Sequence, residues 1–236
     1  MTLSIRVHTD YDLRGPFGRA SNADNAPRLR QRASYGAYRA HGKRLFDLMF
    51  VLLTGLPVLL VVAILSLISL RDGGNPFYCQ IRVGRGGRVF RMWKLRSMVP
   101  DADKVLDTYL AANPEAKVEW DRDQKLRHDP RVTRFGRIIR ATSLDELPQL
   151  LNVLVGDMSM VGPRPIMCSQ RELYPGKDYY ELRPGITGYW QTSVRNETSF
   201  CQRASYDADY NADLSFGTDL RIVAKTFGVV LKATGV

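Results

Sequence analysis

The residues best suited to chemistry are two adjacent carboxylates, Asp145 and Glu146, within Thr142-Ser143-Leu144-Asp145-Glu146-Leu147-Pro148-Gln149-Leu150. An ionised Asp can act as a covalent nucleophile toward phosphorus. A neighbouring carboxylate can hold a magnesium ion that bridges phosphate oxygens. Arg140 lies just upstream and Arg164 just downstream, the latter in Gly162-Pro163-Arg164-Pro165. Either guanidinium could neutralise a phosphate oxygen, and Pro163 and Pro165 stiffen the loop that carries Arg164. Lys94, in Trp93-Lys94-Leu95-Arg96, is a further cation able to reach a substrate phosphate. The competing reading is purely structural. Ser143 three residues before Glu146, ahead of Leu147, Leu150 and Leu151, fits a capping box in which both carboxylates merely open a helix over about 145–155.

The elements around this pair must be read from local pattern. Residues 76–98 alternate in short runs about Gly84-Arg85-Gly86-Gly87, which predicts a β-hairpin with arginines coating its faces. Its glycines fit neither a Rossmann nor a P-loop spacing. Residues 101–127 predict one or two surface helices broken near Asn113-Pro114, and Asp129-Pro130 marks a turn. Phe135, Ile138 and Ile139 form a short helical stripe opposite Arg134, Arg137 and Arg140. Arg183-Pro184-Gly185-Ile186-Thr187-Gly188-Tyr189-Trp190-Gln191 combines turn residues with aromatics and suits a pocket-lining loop. From Leu214 to Lys232 a basic amphipathic helix either packs on the core or lies in a membrane interface.

In front of all this stands an uncharged run of 23 residues, 48–70, preceded by Lys43 and Arg44. As a straight helix it would reach roughly 35 Å, enough to cross a bilayer, and apolarity on every side calls for lipid rather than a core. Pro57, near Gly55, predicts a kink that leaves each half about 15 Å long. Positive charge on both flanks places both ends on the cytoplasmic side, so a re-entrant helical hairpin is expected. The net charge of +10 follows the same layout. Residues 1–46 hold nine Lys/Arg against three Asp, and residues 71–96 hold seven against one, so each block is +6 and the remainder is −2. That placement suits an anionic membrane surface and argues against nucleic acid as the partner. Residues 1–38 are polar and aperiodic, with no apolar core near Met1 for a cleaved signal peptide, and read as a flexible basic arm. Cys79, Cys168 and Cys201 are odd in number and widely spaced, which implies reduced thiols. His8, His41 and His128 are too scattered for a metal cluster.

With these stretches assembled, the chain resembles the bacterial sugar transferases of the monotopic phosphoglycosyl transferase family, in particular the short exopolysaccharide-priming, ExoY-like members. The likeness runs from about Lys43 to Lys232. It rests on Lys43-Arg44-x-x-Asp47, Trp93-Lys94-Leu95-Arg96-Ser97-Met98, Ser143-Leu144-Asp145-Glu146-Leu147-Pro148-Gln149, Gly156-Asp157-Met158-Ser159-x-Val161-Gly162-Pro163-Arg164-Pro165 and Arg183-Pro184-Gly185-Ile186-Thr187-Gly188. The resemblance implies transfer of a sugar-1-phosphate from a UDP-sugar, UDP-galactose or UDP-glucose, to undecaprenyl phosphate with release of UMP. It makes Asp145 the nucleophile, Glu146 the magnesium ligand, and Lys94, Arg140 and Arg164 the phosphate-binding cations. It also implies Arg96, Pro163 and Pro165 at the substrate, and Lys43, Arg44 and Pro57 at the membrane. Two stretches depart from the family pattern: no serine precedes Pro57, and Gln191-Thr192-Ser193-Val194-Arg195 replaces a commoner Gln-Val-x-Gly-Arg.

The expected protein is therefore mostly helical α+β, with arm 1–38, re-entrant segment 39–72 and catalytic domain 73–236. It is expected at the bacterial inner membrane with its catalytic domain on the cytoplasmic face. A non-catalytic membrane-anchored scaffold, whose carboxylates only cap a helix, is the alternative.

Overall fold

The structure is a computed structural model that describes residues 36–123, 126–193 and 200–231. The expected arm, 1–38, lies outside these apart from its last three residues, and Val194 and Arg195 also lie outside them. The architecture is mostly helical α+β, as the sequence led us to expect. After a π-helical turn, Tyr38–Gly42, α1 spans Lys43–Leu70. Strands β1 (Phe77–Val83) and β2 (Val89–Leu95) follow as an antiparallel hairpin pairing Phe77 with Leu95 and Val83 with Val89. Gly86 and Gly87 take φ of 65° and 77° in its turn, conformations that side-chain-bearing residues seldom adopt. Helices α2 (Ala102–Ala112) and α3 (Pro114–Asp123) divide at Asn113 as expected, and α4 (Arg134–Ala141) is capped by the Thr133 side chain accepting from Gly136 N at 2.8 Å.

Helix α5 (Gln149–Val155) leads to β3 (Ser159–Val161), which pairs in parallel with β4 (Gly185–Thr187) across the short helix α6 (Asp178–Glu181). Helices α7 (Arg203–Asp213) and α8 (Phe216–Leu231) close the described chain. The main core joins Val51 of α1, Phe90 and Met92 of β2, Val153, Met158, Val161, Tyr210, Ile222 and Val223. Helix α8 thus packs on the core through Ile222 and Val223 while Phe216, Leu220 and Phe227 remain exposed on its other face. Ile138 departs from the expected core stripe. It is exposed, because α4 turns Ile139 inward instead.

Helix α1 organises the rest. Its 28 residues form one helix, with Pro57 inside it, in place of the two halves expected. A single proline removes one hydrogen bond, and packing on both sides of it keeps the helix whole. Val51 lies on one side, and Val58, Val62 and Leu65 on the other. Asp47, Val51, Val62 and Ser69 are buried along one stripe, whereas Leu52, Leu53 and Leu56 on the opposite side are 78%, 80% and 79% exposed. Both ends are tied to the domain. At the start, Asp47 Oδ1 accepts from Ser159 Oγ at 2.8 Å and Met160 N at 2.9 Å. At the end, Arg96 Nη2 donates to Ser69 O at 3.1 Å.

Lys43 and Arg44, expected at the membrane boundary, instead turn inward. Lys43 Nζ lies 2.7 Å from Asp219 Oδ2 and donates to Val161 O at 2.8 Å. Tyr38 and Tyr210 hydroxyls donate to the same carboxylate at 2.6 and 2.7 Å. Arg44 donates to the terminal carbonyls of α5, Val153 O at 2.6 Å and Leu154 O at 2.8 Å. That position suits a cation at a helix C-terminus.

Candidate active site

The carboxylate dyad sits on a short 3₁₀ turn, Leu144–Glu146, rather than on the first turn of a helix. The expected capping box is absent. Ser143 takes a left-handed φ of 57° and its side chain caps nothing, while α5 begins only at Gln149 behind Pro148. A serine in that region is uncommon and mildly strained, and here it turns the chain so that the dyad faces the hairpin. Leu144 and Leu147 flank the dyad and pack on Val62, Leu95 and Ile139, so one apolar cluster pins the turn to α1, β2 and α4 together.

Lys94 reaches the dyad from β2. Its ammonium lies 2.8 Å from Glu146 Oε1 and 3.6 Å from Asp145 Oδ2, bridging both carboxylates. Asn152 of α5 fixes that stretch of strand by donating to Arg91 O at 2.7 Å and accepting from Trp93 N at 3.0 Å. Asp145 is buried, and burial pushes its carboxyl above the ordinary value. The Lys94 charge opposes that rise, Glu146 adds to it, and Arg140 opposes it. Arg140 is held at the end of α4 by its Nε donating to Ser97 Oγ at 2.9 Å. Lys94, Arg140, Asp145 and Glu146 are therefore brought together as expected.

Arg96 is not. Its guanidinium donates to Ser69 O at the end of α1 and so bridges helix and hairpin. Arg164 stands further along, over the Trp190 ring at 5.5 Å, with Pro163 buried and Pro165 half-buried beside it. Arg82 of β1 connects the two regions. Its Nη1 donates to Pro165 O at 3.4 Å, and its charge is felt by Glu146 on one side and Arg164 on the other.

Sequence reasoning missed Arg82, and it missed Arg203, whose guanidinium carbon lies 4.1 Å from the centre of the Trp190 ring. The hairpin register was the available signal for Arg82: it pairs with Phe90, on the face that also carries Met92 and Lys94. In the loop of residues 183–191, expected to line a pocket, Arg183 lines the cleft at the hairpin tip, while Trp190 lies beneath Arg164 and Arg203. Why that loop meets the Gly-Pro-Arg-Pro loop is plain from its glycines. A Cβ on Gly185 would lie 2.1 Å from Gly162 N, and one on Gly188 would lie 2.2 Å from Gly162 O.

Among the described residues no group of three or more His, Cys, Asp or Glu side chains could hold a metal. What the site offers is the adjacent pair Asp145 and Glu146. That suits a magnesium ion, which is commonly held by one or two carboxylates with substrate phosphates and water completing its shell. A separate cleft of about 700 Å³, lined by Arg39, Arg85, Arg88 and Arg183 among others, lies at the hairpin tip and includes neither carboxylate of the dyad.

Residues 38–233 match the family model of the bacterial sugar transferases. The chain is similar to a UDP-galactose-lipid carrier transferase of Erwinia amylovora, 49% identical over 195 residues that make up 82% of this chain and 41% of that protein. It is 45% identical over 200 residues to an undecaprenyl-phosphate galactose phosphotransferase of Salmonella typhimurium, with 82% of this chain and 41% of the relative covered. With the exopolysaccharide production protein ExoY of Rhizobium meliloti it shares 42% identity over 208 residues, 85% of this chain and 91% of the relative. The chain thus spans about two fifths of the first two relatives and most of the third. By the extent of the match and by these identities, the chain belongs to the bacterial sugar transferase family.

Proposed function

We propose that this protein transfers a sugar-1-phosphate from UDP-galactose or UDP-glucose to undecaprenyl phosphate, releasing UMP, as the first membrane step of exopolysaccharide synthesis. The observation that carries the reading is the buried Asp145 carboxylate, bridged with Glu146 by Lys94 at one end of a cationic row. The names of the galactose-transferring and ExoY relatives support the donor, the lipid acceptor and the pathway class.

In the first step an Asp145 oxygen attacks the sugar-bearing phosphorus. The bond from that phosphorus to the oxygen of UMP breaks, and UMP leaves with the bonding electrons. In the second, a phosphate oxygen of the acceptor attacks the same phosphorus, and the bond to Asp145 breaks to regenerate the carboxylate. Phosphoryl transfer asks mainly for positioning and charge neutralisation, which Lys94, Arg140 and Arg164 supply. Magnesium, held by Glu146 and the donor's phosphate oxygens, would add further neutralisation of phosphate charge.

The acceptor lives in lipid, and α1 is the element suited to meet it. Its outer face is apolar from Leu45 to Leu70, while both of its ends are bound to the same domain. A helix packed along its length on one domain cannot also be ringed by lipid as a perpendicular span. Insertion of the outer face into one leaflet, with both ends on the cytoplasmic side of the inner membrane, satisfies both facts. Leu144 and Leu147 share an apolar cluster with Val62 of α1, so the dyad would work close to the headgroup layer.

The test is UMP release by detergent-solubilised protein with magnesium, polyprenyl phosphate and a panel of UDP-sugars, beside Asp145→Asn. Release with one donor, lost in the variant, is expected. No release with any donor, or unchanged release in Asp145→Asn, would overturn the proposal.

A further inference from the structure

Three arginines from three separate segments come together, two of them over one tryptophan and the third against the Gly-Pro-Arg-Pro loop, where its Nη1 donates to Pro165 O at 3.4 Å. Arg82 comes from β1, Arg164 from the Gly-Pro-Arg-Pro loop, and Arg203 from the start of α7. Arg203 and Arg164 lie 4.1 and 5.5 Å from the Trp190 ring centre, and Arg203 is also 5.3 Å from that of Phe200. Arg164 lies close enough to both of the others that its charge lowers the proton affinity of Arg82 and of Arg203, adding to the effect of their burial.

Such a gathering of like charges is unfavourable unless an anion offsets it. Among the described residues the carboxylates that offset part of this charge, Glu146 for Arg82 and Asp207 for Arg203, are shared with other partners. Glu146, next along from Arg82, is 2.8 Å from Lys94. Asp207, beside Arg203, accepts the Tyr174 hydroxyl. The Nε atoms of Arg82 and Arg203 are both buried without a hydrogen-bond partner. A buried guanidinium N–H without an acceptor is costly, and it is the kind of group a phosphate oxygen satisfies. The fork of a guanidinium also matches phosphate geometry better than an ammonium does.

We infer that Arg164 and Arg203, seated on Trp190, together with Arg82 beside the Arg164 loop, form a phosphate subsite distinct from the reacting position between Lys94 and Asp145, and that it takes the nucleotide-side phosphate of the donor. The inference rests on the function proposed above, because it reads the row Lys94–Glu146–Arg82–Arg164–Arg203 as two phosphate positions in sequence. In-line displacement requires the leaving phosphate to lie on the far side of the reacting phosphorus from Asp145, and that is the position the inference gives to the triad. Trp190 keeps the Arg164 and Arg203 guanidinium groups in place when the subsite is empty, through cation–π contact.

The experiment uses UMP and uridine as probes and needs no turnover. Binding of each to the full, detergent-solubilised chain is measured by calorimetry for the wild type and for Arg82→Gln and Arg203→Gln. Arg82→Lys and Arg203→Lys keep a charge without the fork, and ligand-free melting temperatures identify any variant that misfolds. The expected result is that the wild type prefers UMP over uridine. Each Gln variant should lose roughly tenfold or more of that preference while binding uridine unchanged, with the Lys variants in between. Two outcomes would overturn the inference. An unchanged preference in folded Gln variants would do so, and if those variants still released UMP on turnover the proposed function would stand without it. A wild type that binds UMP no better than uridine would also do so, and only the further absence of turnover with any donor would remove the function as well.

Discussion

Replacing Lys94 with Gln isolates the electrostatics of the dyad. The ammonium lies 3.6 Å from Asp145 Oδ2 and 2.8 Å from Glu146 Oε1. At 3.6 Å a unit pair is worth about 5 kcal/mol at an effective dielectric of 20 and about 1 kcal/mol in water. The side chains of Lys94 and Asp145 retain 18% and 11% exposure, so solvent screening favours the lower part of that range. The sign follows from the geometry. Burial already raises the Asp145 carboxyl, and Lys94 opposes the rise, so removing Lys94 raises it further. A nucleophilic Asp145 works ionised, and the acid limb of kcat/KM for UMP release should therefore move to higher pH in Lys94→Gln. Even on the alkaline side of that limb the rate should stay about a hundredfold down, for want of a cation at the reacting phosphate. Lys94→Arg should restore most of the limb's position. An acid limb that stays in place, or moves to lower pH, would refute the assignment of Lys94 and Asp145 as an electrostatic unit.

Three further outcomes follow from the same structure. Asp219→Ala strands the buried Lys43 ammonium and removes the acceptor of Tyr38 and Tyr210, so chemical denaturation should show a loss of about 3–5 kcal/mol; a loss under about 1 kcal/mol would contradict the anchoring role given to this cluster. Burial pushes the Asp207 carboxyl up to about 6, against the Tyr174 hydrogen bond and the Arg203 charge. The folded state then holds the proton more tightly than the unfolded one, so this group's contribution is full below the unfolded value of roughly 4 and is lost as pH rises through about 6. Asp207→Asn should flatten the stability–pH profile across that window and raise the melting temperature at neutral pH. A variant less stable than wild type at neutral pH would argue that the Asp207 charge is needed. Finally, Leu53, Leu56 and Leu60 are 80%, 79% and 64% exposed on α1, and changing all three to Gln should move the protein off floated vesicles without lowering its melting temperature in detergent. Retention on the vesicles would show that this face is not the one in lipid.

Much of the site was legible because its residues are close in sequence or flanked by rigid ones. Asp145 and Glu146 are adjacent, Arg140 lies five residues before Asp145, and the prolines around Arg164 mark it out. The apolar run announced α1 by composition alone. What failed depends on backbone conformation and on contacts remote in sequence. Ser143 resembles a cap, yet its left-handed φ converts the expected helix start into a 3₁₀ turn, a choice that no local side chain signals. Strands β3 and β4 have three residues each, too few to show a period, and they meet because Gly162, Gly185 and Gly188 allow backbones to touch. Lys43 and Arg44 read as charges beside a membrane segment, but long side chains can turn back onto a domain whose position the sequence does not state. Arg82 was one of several hairpin arginines, and only the strand register puts it on the inner face while leaving Arg91 exposed. Arg96 was assigned to substrate through its neighbours, whereas its own guanidinium reaches across 27 positions to Ser69.

The central claim is that Asp145 bonds covalently to the donor's sugar-bearing phosphorus. Intact-mass spectrometry of the protein, incubated with magnesium and its UDP-sugar in the absence of acceptor and quenched rapidly, tests it directly. The account predicts a population heavier by one sugar phosphate, discharged when polyprenyl phosphate is added and absent in Asp145→Asn. Turnover that proceeds with no such species in the wild type, or an adduct that persists in Asp145→Asn, would contradict it.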